Sequence, residues 1–499
     1  MEDKLIMKPH AIMIALPYQG HLNPFVHLAI KLASKGCKIT FVLTEHFHHQ
    51  ISKSHNNTIT TSSSEVDIFS EAGNSGLDIR YTTISDGFPL EFDRNLNLDE
   101  FWESLFNDFP SRVDEFVGKI IESSDVSLSP IFLVTDTAYS WTATIAKKYN
   151  ILNVSFWTEP AMVFAICYYS DLLRQNGHFP PTDNHESTIN YIPGIESIST
   201  KDLMAYFQES DDKTIVHKII FLAFENVKNA DFILHNIVQE LESHTLSALN
   251  QKHPTYAIGP INFSKNSTKI NISKSMLSEI DCTKWLDSKP PGSVLYVSFG
   301  SVVQTNKEVI EEIAQGLLLS EVNFIWAIRP QIVSYTDDTR VLPAGFEDDV
   351  KDRGLIVPWC NQIDVLSNRA VGGFLTHCGW NSILESIWCG VPMICYPVTY
   401  DQPTNRKLVV DDWKVGINLC DGVSLNREEV AEKIKKLMSG ETSDGIKTQM
   451  KNIRNITHNA LAKDGSSERN FDQFLKDLVE KMHARKEDVQ EIQSIACEA

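Results

Sequence analysis

At 499 residues the chain is too long for one ordinary hydrophobic core, and it points to two domains of roughly 200–250 residues each. Its 45 basic and 65 acidic residues leave a net charge of −20, which repels nucleic acid and anionic lipid and argues against both as partners. A hydrophobic share of 42% is that of a globular protein.

The first predicted strand is HAIMIALP (10–17), followed by the turn YQGHLN and a helix PFVHLAIKLASKG (24–36) that places Pro24 in its first turn and closes at Gly36. With the strand KITFVLT (38–44) this makes a βαβ unit, and His21 falls at the carboxyl end of the first strand, where open α/β sheets bind ligands. A helix dipole there disfavours imidazolium and so favours a neutral base. Residues 52–76 are rich in Ser, Thr and Asn and read as a disordered surface loop. After an amphipathic segment near 99–122, PIFLVTD (130–136) is a strand that delivers Asp136 to the same sheet edge as His21. A helix is expected over 139–150, then the strand VSFWTEP (154–160) carrying Thr158, and an apolar helix over 161–173. Residues 191–203 read as loop, 218–242 as helix, strand and acidic helix, and YAIGPI (256–261) closes the first domain.

The Ser-, Asn- and Lys-rich residues 262–280 form the best linker, so the expected domains are 1–261 and 281–465. VLYVSFGS (294–301) runs from a strand into a turn at Ser301, and EVIEEIAQGLLLS (308–320) reads as a helix. NFIWAIRP, LIVPW, GGFLTH and PMICYP supply further strands. Two consecutive βαβ arrays argue an α/β chain of two Rossmann-like domains, with parallel sheets facing across a cleft. No GxGxxG occurs, which counts against a dehydrogenase. An amphipathic helix over 466–482, packing back on the first domain, is followed by a frayed, charged tail after about residue 484 within the terminal segment 466–499.

Nine cysteines, an odd number without CxxC spacing, suggest neither a disulfide framework nor a zinc site, and reduced thiols in the cytosol are the simplest reading. The N-terminus MEDKLIMKPHAIMIALP does not resemble a signal peptide, and no run of about 18 apolar residues could span a membrane. The expectation is therefore a cytoplasmic monomer with no integral membrane segment.

Residues 359–402, WCNQIDVLSNRAVGGFLTHCGWNSILESIWCGVPMICYPVTYDQ, concentrate aromatic, amide, imidazole and carboxylate groups around two glycine-marked turns. GGFLTH reads as a buried strand, GWNS as a turn, and ILESIWCG as a short helix ending at Gly390. Asn381, Ser382 and backbone amides at that helix start would suit an anion such as a diphosphate.

This stretch resembles, nearly position for position, the signature box of plant family-1 UDP-glycosyltransferases. The resemblance implies a GT-B-like fold and a UDP-sugar donor, with Trp359 stacked on uracil, Gln362 at the nucleoside and Glu385 on the ribose hydroxyls. It further implies that His377, Asn381 and Ser382 bind the diphosphate, and that Trp380, Asp401 and Gln402 line the sugar. Ser301 and Thr158 match donor contacts to phosphate and sugar. An aromatic face suits a base and a carboxylate can accept from two vicinal hydroxyls. Three departures stand out: Asn361 replaces a usual proline next to Trp359, Asn368-Arg369 replaces His-Pro, and Tyr396 stands where tryptophan is common.

The N-terminal LPYQGHLNPFVHLA is similar to the same family's acceptor-side motif, which implies His21 as catalytic base and Asp136 as the carboxylate behind it. On its own, His21 could be a structural turn residue and Asp136 a helix N-cap. The first domain would bind the acceptor and the second the UDP-sugar. No Asp-x-Asp triplet occurs, so the expected reaction is a metal-free, cofactor-free inverting transfer of a sugar to a hydroxyl. Gln402 at the end of the box resembles members that prefer UDP-glucose. The expected acceptor is a small apolar plant metabolite, such as a phenolic or terpenoid, giving a β-glycoside. A non-catalytic sugar-nucleotide binder, a C-glycoside-forming enzyme and an enzyme that extends an existing sugar are the alternatives.

Overall fold

The computed structural model describes residues 8–56, 67–94, 96–124, 129–181, 186–264, 279–329, 332–333, 341–420, 424–439 and 441–498. The chain folds into two compact units. One comprises Met1–Ser170, Lys213–Met276 and Asn459–Ala499, and the other Asp171–Asp212 and Leu277–His458. Most of the expected linker, residues 265–278, lies outside the described residues.

In the first unit a seven-stranded parallel sheet runs in the order Ile79–Ile84, Lys38–Thr44, His10–Ile14, Ile131–Asp136, Leu152–Trp157, Phe232–His235 and Thr255–Ala257. Its central strands are continuous apolar runs because helices cover both faces. Phe25, Leu28, Phe41 and Phe132 fill one layer, and Ile12, Val42, Leu133 and Phe109 the other. The strand order reverses between His10–Ile14 and Ile131–Asp136, where Ile14 lies beside Thr135. That reversal leaves a gap at the carboxyl ends of two neighbouring strands.

Several local expectations change. The first helix spans Gln19–Ser34, so His21 sits inside its first turn and Pro24 within the helix. The Tyr18 carbonyl accepts from both His21 and Leu22 N–H groups at 3.0 and 2.8 Å, starting the helix a turn ahead of the proline. The supposed loop 52–76 contains the end of a helix Glu45–Asn56 and a helical turn Ser70–Asn74, while residues 57–66 lie outside the described residues. Ile51, Ile68, Phe69 and Ala72 are all buried in the core, and Phe69 packs edge-on to Phe41 at 5.0 Å. The acidic helix expected before residue 242 is a short 3₁₀ turn, Gln239–Leu241, followed by a helix Ser243–Asn250. Glu242 is buried there because its carboxylate accepts from the Ala161 and Met162 N–H groups, at 3.0 and 2.7 Å, and so satisfies the start of the helix Ala161–Tyr168.

The last helix runs from Ser466 to Glu498, well past the expected fraying at about 484. Phe471, Phe474, Leu478 and Met482 enter the first unit's core. Arg485 then clamps Asp231 at 2.8 and 3.0 Å and donates to the Ile151 carbonyl at 2.6 Å, which anchors the helix where fraying was expected.

The second unit carries a six-stranded parallel sheet in the order Gly354–Val357, Asn323–Ala327, Val294–Ser298, Val371–Thr376, Met393–Cys395 and Gly416–Asn418. Order reverses here between Val294–Ser298 and Val371–Thr376, with Ser298 beside Thr376. The three-residue strand Gly416–Asn418 is too short to announce itself as a run. Residues 191–203, read as loop, supply the strand Ile198–Ser199, paired antiparallel with Thr188–Ile189, and the 3₁₀ turn Thr200–Asp202. That segment belongs to the second unit, where Thr404 Oγ1 donates to the Asp202 carbonyl at 2.7 Å. No helix among the described residues is long and apolar enough to cross a membrane.

Candidate active site

At the reversal point of the first sheet, Asp136 is the last residue of its strand and His21 projects from the first turn of the helix that follows the neighbouring strand. His21 Nδ1 lies 2.7 Å from Asp136 Oδ2. The carboxylate is 1% exposed and the imidazole 20%, so the acid is hidden and the ring edge reaches solvent. Asp136 Oδ1 accepts from the Ala138 N–H at 3.0 Å, which fixes the carboxylate in the turn as well as behind the ring. With Nδ1–H donated to Asp136, Nε2 is the nitrogen left to take a proton. Thr158, expected beside the donor, places its hydroxyl 3.2 Å from the same Nδ1.

Around the reversal point of the second sheet, His377 follows directly on the strand Val371–Thr376. Its ring is sandwiched by two glycines: a Cβ added to Gly300 would meet Cε1 at 2.6 Å, and one added to Gly379 would meet Nε2 at 2.5 Å. Gly300 also has a φ of +70°, so a side chain there is disfavoured twice over. Burial pushes the His377 pKa down to about 4, with the Arg329 guanidinium adding to the effect and a hydrogen bond to the Ser298 backbone opposing it. The ring is therefore neutral near pH 7, and Nδ1 is buried without a partner among the described residues. Ser301 is half-buried in the loop beyond Ser298. Arg329, which has no sequence pattern of its own, holds this loop by donating to the Gly300 and Val303 carbonyls at 2.8 and 2.5 Å.

The helix Trp380–Cys389 starts at the expected turn and ends at Gly390, whose φ is +79°. Asn381 and Ser382 lie in its first turn, and Glu385 follows one turn along. Gln362 Nε2 donates to Glu385 Oε2 at 2.7 Å and to Ser382 Oγ at 3.0 Å, while Tyr296 donates to Gln362 Oε1 at 3.3 Å. Three residues singled out by their place in the sequence thus form one hydrogen-bonded cluster. Trp359 is half-buried. Trp380, by contrast, is 4% exposed, with its ring 6.0 Å from that of Trp413. Asn361 caps the helix Gln362–Ser367 by accepting from the Asp364 N–H at 3.3 Å, a role the usual proline could not take.

Asp401 and Gln402 open the helix Gln402–Lys407 and are 9% and 3% exposed. Gln402 Oε1 accepts from the Val398 and Thr399 N–H groups at 2.8 and 2.9 Å, so its amide nitrogen is the end left to read a ligand. Asn405, fully buried and not expected from the sequence, donates to Asp401 Oδ2 at 2.5 Å and to the Cys378 carbonyl at 2.9 Å. Its only sequence signal was the i,i+4 spacing from Asp401.

The first cluster can accept a proton, and the second offers neutral donors and the carboxylates of Glu385 and Asp401 to a polar ligand. Comparison with known proteins gives these sites a context. Residues 260–458 match the family described as UDP-glucoronosyl and UDP-glucosyl transferase, and residues 10–263 the glycosyltransferase N-terminal domain. UDP-glycosyltransferase 86A1 of Arabidopsis thaliana is 51% identical over 96% of this chain and 96% of its own. A 7-deoxyloganetin glucosyltransferase of Catharanthus roseus is 35% identical over 95% of this chain and 97% of its own. Among solved structures, Phytolacca americana UGT2 complexed with UDP-2fluoro-glucose and pterostilbene superposes with a TM-score of 0.73 at 25% identity, covering 94% of this chain and 100% of that one. On these matches and on its two parallel α/β sheets, the chain belongs to the plant family-1 UDP-glycosyltransferases, GT-B-fold enzymes that transfer sugars from UDP-sugars to small molecules.

Proposed function

We propose that the protein transfers glucose from UDP-glucose to a hydroxyl of a small, largely apolar acceptor with inversion at the anomeric carbon. The observation that carries this reading is the 2.7 Å pairing of the partly exposed His21 ring with the hidden Asp136 carboxylate. His21 Nε2 takes the acceptor hydroxyl proton as the oxygen attacks C1, the bond from C1 to the β-phosphate oxygen breaks, and UDP leaves. Asp136 stabilises the imidazolium so formed.

In the same reading Glu385 accepts from the ribose hydroxyls, Gln362 contacts the nucleoside and Trp359 stacks on uracil. His377, Asn381, Ser382 and Ser301 donate to the diphosphate, where a neutral His377 can still give one hydrogen bond. Asp401 and Gln402 read the sugar, Trp380 lines it, and Thr158 remains proposed as a sugar contact. Glucose is supported by the names of the Catharanthus relative and the Phytolacca complex. The eight cysteines whose side chains are described are all free thiols, which suits a reducing compartment such as the cytosol.

The test is to supply UDP-glucose with a panel of phenolic and terpenoid alcohols and to read the anomeric proton of each product by NMR. A β-glycoside is expected. An α-product would rule out single displacement, and an intact donor beside every acceptor would rule out the transferase reading.

A further inference from the structure

The short stretch that carries Asp401 and Gln402 is held from outside itself. Tyr400, just before them, has a φ of +55°, a left-handed conformation that a side-chain-bearing residue adopts only when its surroundings enforce it. What faces it is the segment around 200–206 of the same unit. The Ala205 N–H donates to the Tyr400 carbonyl at 2.8 Å, and Thr404 Oγ1 donates to the Asp202 carbonyl at 2.7 Å. Arg406 pairs through Nη2 with Asp202 Oδ1 and through Nη1 with Asp411 Oδ2, the latter at 2.8 Å. Asp202 and Arg406 are 6% and 9% exposed, and Thr404 is fully buried. A guanidinium and a carboxylate taken this far out of water persist only when each satisfies the other, so the pair has one geometry rather than many. Two backbone-directed bonds and this ion pair therefore seat the segment on the first turns of the helix Gln402–Lys407.

We propose that Asp202 and Arg406 are positioning residues for recognition of the transferred sugar, fastening the 200–206 segment so that Tyr400 stays left-handed and Asp401 and Gln402 keep their aim. The inference rests on the reading above that those two residues contact the sugar. It makes the choice of sugar depend on a residue about 200 positions away in sequence, which bonds to Thr404 and Arg406. Among the described residues no side-chain bond of Asp202, Thr404 or Arg406 reaches the Gln362, Ser382 and Glu385 cluster, so binding of UDP alone is expected to depend on them far less than the choice of sugar.

The experiment is calorimetric binding of UDP, UDP-glucose and UDP-galactose to the full chain and to Asp202→Asn, Arg406→Met and Thr404→Val. Thr404→Val removes one hydrogen bond without creating an unpaired buried charge, which keeps the test open if the charge variants fold poorly. The expected result is an unchanged Kd for UDP with the advantage of UDP-glucose over UDP-galactose reduced roughly tenfold in the charge variants and severalfold in Thr404→Val. A melting temperature that falls while the ratio of the two sugar nucleotides stays put would overturn the proposal, leaving the pair a purely structural one. A wild-type protein that binds UDP but does not distinguish the two sugars would overturn the sugar assignment of Asp401 and Gln402, and this proposal with it. Failure to bind UDP at all would strike instead at the donor-site reading.

Discussion

His21 and Asp136 show how little freedom the reacting groups have. Both carboxylate oxygens are engaged, one by the ring Nδ1 and one by the Ala138 amide, so the acid cannot turn away from the base. Asp136→Asn preserves the shape but removes the charge that stabilises imidazolium and can present an amide N–H to Nδ1. We expect kcat to fall about a thousandfold with the UDP affinity unchanged, measured by initial rates and calorimetry. A fall of less than about tenfold would reduce Asp136 to a turn residue. At this scale the residues with strong local context are legible in the amino-acid sequence: His21 just after the first strand, Asp136 at the end of its strand, and Glu385 one helical turn from Asn381 and Ser382. Arg329 and Asn405 are not, because a lone arginine after a strand or an asparagine inside a helix has no pattern of its own. Their importance comes from the carbonyls they find, those of Gly300, Val303 and Cys378.

Among the elements, strands are the easier part. Burial on both faces writes an uninterrupted apolar run such as IMI or FIL. Helix starts are harder, since Pro24 suggests a first turn that in fact lies at Gln19, and Asn361 reveals its capping role only through Asp364. One strand carries a cost with a measurable signature. His235 in Phe232–His235 is fully buried against the Phe164 ring, and both its ring nitrogens lack partners among the described residues. Burial lowers its pKa from 6.5 to about 3. The folded state therefore binds fewer protons than the unfolded state below pH 6.5, so this group's contribution is intact above that pH and is lost as pH falls toward 3. Denaturation midpoints at pH 7, 6 and 5 should show His235→Leu losing less stability on acidification than the parent, by roughly 1.4 kcal/mol per pH unit below 6.5. Parallel pH profiles would show that the histidine is protonated without cost.

For the molecule as a whole, alternation of strands and helices is enough to expect two Rossmann-like arrays, and both sheets are there. How the chain divides between units is not readable in the same way, because the deciding contacts join residues far apart in sequence. Residues 171–212 group with the second unit, where Arg406 meets Asp202, and the last helix groups with the first, where Phe471 and Phe474 fill a core that begins with Ala11 and Met13. Each sheet also brings its candidate groups to the point where its strand order reverses, His21 with Asp136 in one and His377 with the Gly300 loop in the other. The proposed transfer draws on both sets, the base from the first unit and the donor groups from the second. The most direct measurement is the turnover of His21→Ala with UDP-glucose and an accepted alcohol, set beside its affinity for UDP. Loss of at least about a thousandfold in kcat/KM with the UDP Kd unchanged is the predicted result; unchanged turnover would contradict the assignment of His21 as the base.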